Sequence, residues 1–110
     1  MKSVRIRVVV VNMDHHHQYD VRIDRRSPFG NGFVLEKHGR REGILKFEQF
    51  LDAHPAYRER LLDRLEEQVR AAAEKIPGDC GEKIVRLGCH CRPLHCHGDV
   101  WIRLLQERLT

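Results

Sequence analysis

"VRIRVVVVN" at residues 4–12 alternates apolar and basic side chains over its first half and closes as an unbroken valine run. Alternation with a period of two marks a strand with one buried face, and a solid β-branched run marks a strand covered on both. The stretch predicts a β-strand in the middle of a sheet. After it, "MDHHHQ" (13–18) is a polar break and "YDVRID" (19–24) alternates again, which predicts a second strand beside the first. "RRSPFGNG" (25–32) then supplies Pro28, Gly30, Asn31 and Gly32, the chemistry of a tight turn.

From Glu42 the period becomes helical. Ile44, Phe47, Phe50 and Leu51 fall on one face, and Pro55 separates them from a second helix. The stripe of that helix is Leu61, Leu62, Leu65, Val69, Ala72, Ala73 and Ile76, with Arg and Glu opposite. "PGDCGE" (77–82) ends it, "KIVRLGCHC" (83–91) reads as a third strand, and Val100, Trp101, Leu104, Leu105 and Leu109 line a closing helix. The order β-β-α-α-β-α predicts a small α/β sandwich in which a short central sheet of about three strands is flanked by helices and the valine strand pairs with the Ile84 strand.

The 110 residues suffice for one core, so a single domain over residues 1–110 is expected. No apolar run approaches the roughly 18 residues that a membrane span requires, and the first is too short for a signal peptide. These features predict a cytoplasmic protein with no membrane association. In a reducing compartment four cysteines point to metal binding, reactivity or burial rather than to disulfides. A net charge of +4 favours anionic partners only mildly, because the basic residues are interleaved with sixteen acids.

"GCHCRPLHCHGDV" (88–100) gathers three of the four cysteines and three of the eight histidines. Cys89 and Cys91 share one strand face with Val85 and Leu87, so burial as small hydrophobes accounts for them as readily as chemistry does. A zinc site of Cys89, Cys91, Cys96 and His97 is chemically acceptable, but all its ligands fall in one stretch with no second knuckle, which disfavours it. Pro93 ends the strand, and Cys96, His97 and Asp99 lie where a helix begins. There the helix dipole favours a thiolate on Cys96, and an imidazole such as His97 can transfer protons near neutral pH. The alternative is structural: Asp99 stabilises the helix start while Cys96 packs beneath it.

In "RRSPFGNGF" (25–33), Arg25 and Arg26 suit phosphate or carboxylate, while Ser27, Gly30 and Asn31 offer hydroxyl, backbone and amide donors. It is not a P-loop, because the lysine and the spacing are missing. The histidines at 15–17 read as a solvated strand connection.

"DRRSPFGNGF" (24–33) and "LGCHCRPLHCHGDVW" (87–101) together resemble the paired motifs "GRPSxxGNPF" and "LxCWCxPxxCHxDVL" of domain of unknown function 4326, a family of small phage and bacterial proteins. Arg25, Ser27, Gly30, Asn31 and Phe33 match the first motif, and Cys89, Cys91, Pro93, Cys96, His97 and Asp99 match the second. Gly32 replaces the family's proline, and His90 replaces its tryptophan. The resemblance implies a phage or bacterial cytoplasmic setting and no defined activity. Two polar motifs at distant positions predict two halves of one site. The expectation is a pocket for an anionic small molecule or nucleotide, bound by Arg25, Ser27, Gly30, Asn31 and Phe33, with Cys96, His97 and Asp99 at its reactive end. The competing expectation is a non-enzymatic phage accessory protein that binds nucleic acid or a host protein, its Cys/His cluster structural or zinc-binding.

Overall fold

The computed structural model describes residues 4–13, 18–24, 27–30, 40–77, 81–89 and 97–109. They form strands β1 (Val4–Asn12), β2 (Val21–Arg22) and β3 (Gly81–Cys89), and helices α1 (Arg40–Ala53), α2 (Pro55–Lys75) and α3 (Gly98–Leu109). Pro55 opens α2, where a missing N–H costs nothing, and Asp99 puts an acid in the first turn of α3. The α/β class and the element order are those that the sequence patterns predict.

The sheet has the order β1-β3-β2, and both outer strands run parallel to β3. β1 pairs along its whole length, from Val4 opposite Gly81 to Asn12 opposite Cys89. The expectation that β1 and β2 are neighbours is therefore corrected: β3 lies between them, and within the described sheet β3 rather than β1 is central. Alternation identifies strands but does not say which ones pair. The second strand is also shorter than the 19–24 pattern suggests, although main-chain bonds from Asp20 N to Arg86 O and from Ile23 N to Gly88 O continue its attachment on either side.

One cluster forms the core. Val8, Val21, Ile23, Val85, Leu87 and Cys89 from the sheet meet Ile44, Phe47 and Leu51 of α1, Leu61, Leu62, Leu65, Val69 and Ala73 of α2, and Val100, Trp101 and Leu105 of α3. Ile6 and Val10, on the same face as Val8, are half-buried and pack against this cluster, and Val9 and Val11 on the alternate face are half-buried as well. Of the valine run only Val8 is fully buried, short of the cover on both faces that the pattern predicts. Phe50, predicted to face inward with Ile44 and Phe47, instead stacks on His54 with ring centroids 4.4 Å apart at the corner between α1 and α2.

Tethers at the periphery fix the layers. The amide of Gln106 on α3 donates to Ile6 O on β1 at 3.2 Å, and Lys83 on β3 donates to Ala73 O near the end of α2 at 3.0 Å. Arg108 bridges α3 to Glu59, Asp63 and Glu66 on α2. A parallel step from β1 to β2 must carry the chain past β3, and Gly88 makes room for it. A β-carbon there would lie 2.7 Å from Met13 Cγ and 2.9 Å from Tyr19 Cγ, the residues that close over the sheet just after β1 and just before β2. Gly88→Ala is expected to destabilise the fold by about 1–3 kcal/mol through overpacking, measured by urea unfolding; an unchanged midpoint would show that the crossing does not depend on glycine.

Candidate functional site

In an open parallel sheet the segments that leave the carboxyl ends of the strands emerge together, and ligands collect there. The described parts of both sequence motifs lie at this edge. The first follows β2, and the second begins in β3 and runs into α3.

The described part of the first motif is a pair of interlocked turns. Ser27 N donates to Asp24 O at 2.9 Å, and Gly30 N donates to Ser27 O at 3.3 Å across Pro28, whose fixed φ suits that position. The Ser27 hydroxyl donates to Asp24 O at 2.7 Å and accepts from Phe29 N at 3.3 Å. The Ser27 proton and the Gly30 N–H, both read as donors to a ligand, are thus engaged within the turn, and these residues shape the segment. The result of that shape is to drive Phe29 into the core, where it is 1% exposed.

At the start of the turn, Asp24 is only 6% exposed. Its carboxylate takes both arms of one guanidinium, Arg22 Nε to Oδ1 at 2.6 Å and Arg22 Nη2 to Oδ2 at 2.7 Å. A buried carboxylate is costly unless it is paired and hydrogen-bonded, and a bidentate arginine meets that need. The bond to Asp24 in turn raises the pKa of Arg22 above the usual arginine value. Sequence reading passed over Asp24, although its position two residues after Arg22 on one strand face was a signal for the pair.

In the second motif, Cys89 is 1% exposed and packs with Val85 and Leu87, its neighbours on the same strand face. His97 immediately precedes α3, and its carbonyl accepts from Val100 N at 3.0 Å and Trp101 N at 3.3 Å, as a helix cap does. Its side chain is 6% exposed. The ring Nε2 lies 2.6 Å from Ile23 O, and because a carbonyl only accepts, Nε2 carries the proton. The ring of Phe47 meets the imidazole edge-on with centroids 5.7 Å apart. Asp99 lies half-buried in the first turn of α3.

A second bond ties the motifs one helical turn further on. Trp101 Nε1 donates to Phe29 O at 2.8 Å, and its ring packs at right angles to those of Phe29 and Phe47, with centroids at 6.0 and 5.6 Å. Residues more than seventy positions apart in the chain are thereby joined through Ile23–His97 and Phe29–Trp101. Of the buried polar residues among those described, His97 belongs to this junction and Asp24 directly follows its partner Ile23.

A family model described as "Domain of unknown function (DUF4326)" matches residues 9–107. This chain belongs to that family. No curated protein and no solved structure matches it significantly. For the DUF4326 chain, the matched span begins within β1, includes both motifs, β2, β3, α1 and α2, and ends in the last turn of α3.

Of the expected site residues, Ser27, Gly30, Cys89, His97 and Asp99 are placed, and Arg25, Asn31, Phe33, Cys91 and Cys96 lie outside the described residues. So do Arg26, Gly32, Cys80, His90, Pro93 and the histidines at 15–17. Among the described residues, no group of three or more His, Cys, Asp or Glu side chains is arranged to hold a metal ion, and no helix is long and apolar enough to cross a membrane. An open groove of about 440 Å³ lies between Tyr19, Asp20 and Val21 at the amino end of β2 and the last turns of α2, and it includes no residue of either motif. Replacing the indole tests the second tether: Trp101→Phe keeps the aromatic volume but leaves the buried Phe29 carbonyl without this donor. A loss of about 1–3 kcal/mol is expected in chemical denaturation, and a neutral substitution would show that the tether is dispensable.

Proposed function

We propose that this DUF4326 domain holds an anionic, nucleotide-like ligand in a pocket at the carboxyl edge of its parallel sheet. The observation that supports this reading is the junction of the two motifs through His97–Ile23 and Trp101–Phe29, which brings the described part of the turn after β2 beside the amino end of α3. Backbone N–H groups and the positive end of the helix dipole at such a position favour anions. Arg25 binds the charge, Asn31 and Phe33 orient the remainder, and Cys96 and Asp99 line the polar end.

Three expected site residues take a different part in this proposal. His97, buried and donating to Ile23, is a positioning residue that sets the helix start against the turn rather than the proton carrier first read from the sequence. Ser27 and Gly30 hold the turn in shape through their internal bonds. The setting we infer is the cytoplasm of a bacterium or of a phage-infected cell, in keeping with the family resemblance.

A second reading draws on the burial of Cys89 and His97. Here the Cys/His motif is a structural corner of a non-enzymatic accessory protein that binds nucleic acid or a host protein, with or without zinc. Zinc remains disfavoured because all its candidate ligands fall in one stretch with no second knuckle, and a set including Cys89 and His97 would draw on a core cysteine and on the Nδ1 of His97, whose Nε2 donates to Ile23.

Thermal-shift measurements with a panel of nucleotides separate the two readings. A ligand at about 100 times its Kd adds about 2.7 kcal/mol of stability, so the pocket predicts a clear rise in Tm for at least one nucleotide. Arg25→Ala should abolish the rise, and Cys96→Ser should fold normally with a diminished response. The absence of any shift, an Arg25→Ala protein that responds like the wild type, or a Cys96→Ser protein that loses stability instead would favour the structural corner.

A further inference from the structure

We propose that the sheet face turned away from the helices is a docking surface for single-stranded nucleic acid, distinct from the pocket at the carboxyl edge. Alternation directs Val8, Val85, Leu87 and Cys89 into the core. Arg5, Arg7 and Val9 on β1, Ile84 and Arg86 on β3, and Arg22 on β2 consequently point the other way. Strand register arranges them in adjacent rows, with Arg7 opposite Ile84, Val9 opposite Arg86, and Arg22 opposite Gly88.

All-parallel sheets are ordinarily covered on both faces, yet among the described residues no element covers the outer face of this one over its amino half. Ile84 is 38% exposed and the Arg7 side chain 63%. Among the described residues, Met13 and Tyr19 close over it at Gly88. A flat surface of this kind, with guanidinium groups around an aliphatic floor and an aromatic ring at one end, presents what a single strand needs: cations for phosphates and a ring face on which a base stacks. Tyr19, 38% exposed, supplies the ring.

The charge balance points the same way. Glu82 on this face meets Arg7 only at 3.7 Å. The Asp24 carboxylate is buried against Arg22, and Asp20 Oδ2 accepts the main-chain N–H of Arg86 at 2.7 Å. Arg5 and Arg86 enter no ion pair among the described residues, and Arg5 and Arg7, two apart on a strand, project roughly 6.5 Å from each other. The rows thus offer a linear series of cations to a linear polyanion. A duplex fits less well, because its bases are stacked inside and give Tyr19 no exposed ring to meet.

The test is fluorescence anisotropy of the full chain with a labelled oligothymidylate and with a duplex, across a salt series. Tighter binding of the single strand is expected, with affinity falling steeply as salt rises. Arg5→Ala combined with Arg86→Ala should weaken it about tenfold or more and reduce the salt slope by about 1.4, at about 0.7 per phosphate contact. Tyr19→Leu, which keeps an apolar cover over Gly88, should cost about fivefold or more. Arg60→Ala combined with Arg64→Ala on the exposed side of α2 removes the same charge and should leave both affinity and slope unchanged; unfolding curves verify that each variant is folded. The nucleotide response of the carboxyl-edge pocket should survive Arg5→Ala/Arg86→Ala, so failure of one proposal is distinguishable from failure of the other. The proposal is overturned by absence of binding at low salt, by equal losses from the sheet-face and α2 variants, by preference for the duplex, or by a dimer in light scattering that dissolves in Arg5→Ala/Arg86→Ala while no oligonucleotide binds.

Discussion

The bonds from two ring nitrogens to two main-chain carbonyls, His97 to Ile23 and Trp101 to Phe29, organise the carboxyl edge of this domain. Both acceptors leave β2, the shortest strand, which has only Val21 and Arg22 in regular pairing. So short a strand has little hold on its own. The rings of His97, just before α3, and Trp101 within it add to the main-chain bonds of Asp20 and Ile23, and because the rings are buried, each carbonyl that they satisfy would otherwise be a cost to the fold. The same contacts seat Phe29, Phe47 and Trp101 edge to face, so the polar and the apolar parts of the junction stand or fall together.

The parallel sheet explains why these contacts fall where they do. With β3 in the centre and β1 and β2 on either side, all the strands deliver their following segments to one edge. The helices gather over one face, and Met13 and Tyr19, just after β1 and just before β2, close over the other at Gly88. That glycine belongs to the Cys/His motif by sequence but serves the topology. The face it marks remains open farther along, where Arg7 and Ile84 stand exposed.

Much of the architecture was legible from periodicity. The stripe of α2 from Leu61 to Ala73, the break at Pro55, the strand through Val85 and Leu87, and the α/β order all follow from spacing of two or of three and four. Strand order did not follow, since alternation in "VRIRVVVVN" and "YDVRID" is equally compatible with adjacent and with separated strands. The covered state of the valine run was misread for a related reason: β-branched residues favour a sheet interior without fixing how many layers cover it. At the candidate site, proximity of the two motifs could be anticipated from their shared polarity and the family resemblance. What could not be anticipated was the use of particular groups. His97 reads as a titrating side chain in sequence, and only the fold directs its Nε2 to a carbonyl; Ser27 reads as a ligand donor, and only the turn takes up its proton.

The central claim is that the motifs form one rigid junction, and the domain's sole tryptophan reports on it directly. Hydrogen exchange of the Trp101 indole N–H, followed by nuclear magnetic resonance, measures how often the bond to Phe29 O opens. The account predicts protection comparable to that of the slowest amides of β3, so that this proton exchanges only when the domain unfolds. Rapid exchange of the indole proton while the β3 amides stay protected would show that the first motif detaches freely from α3, and would contradict the account.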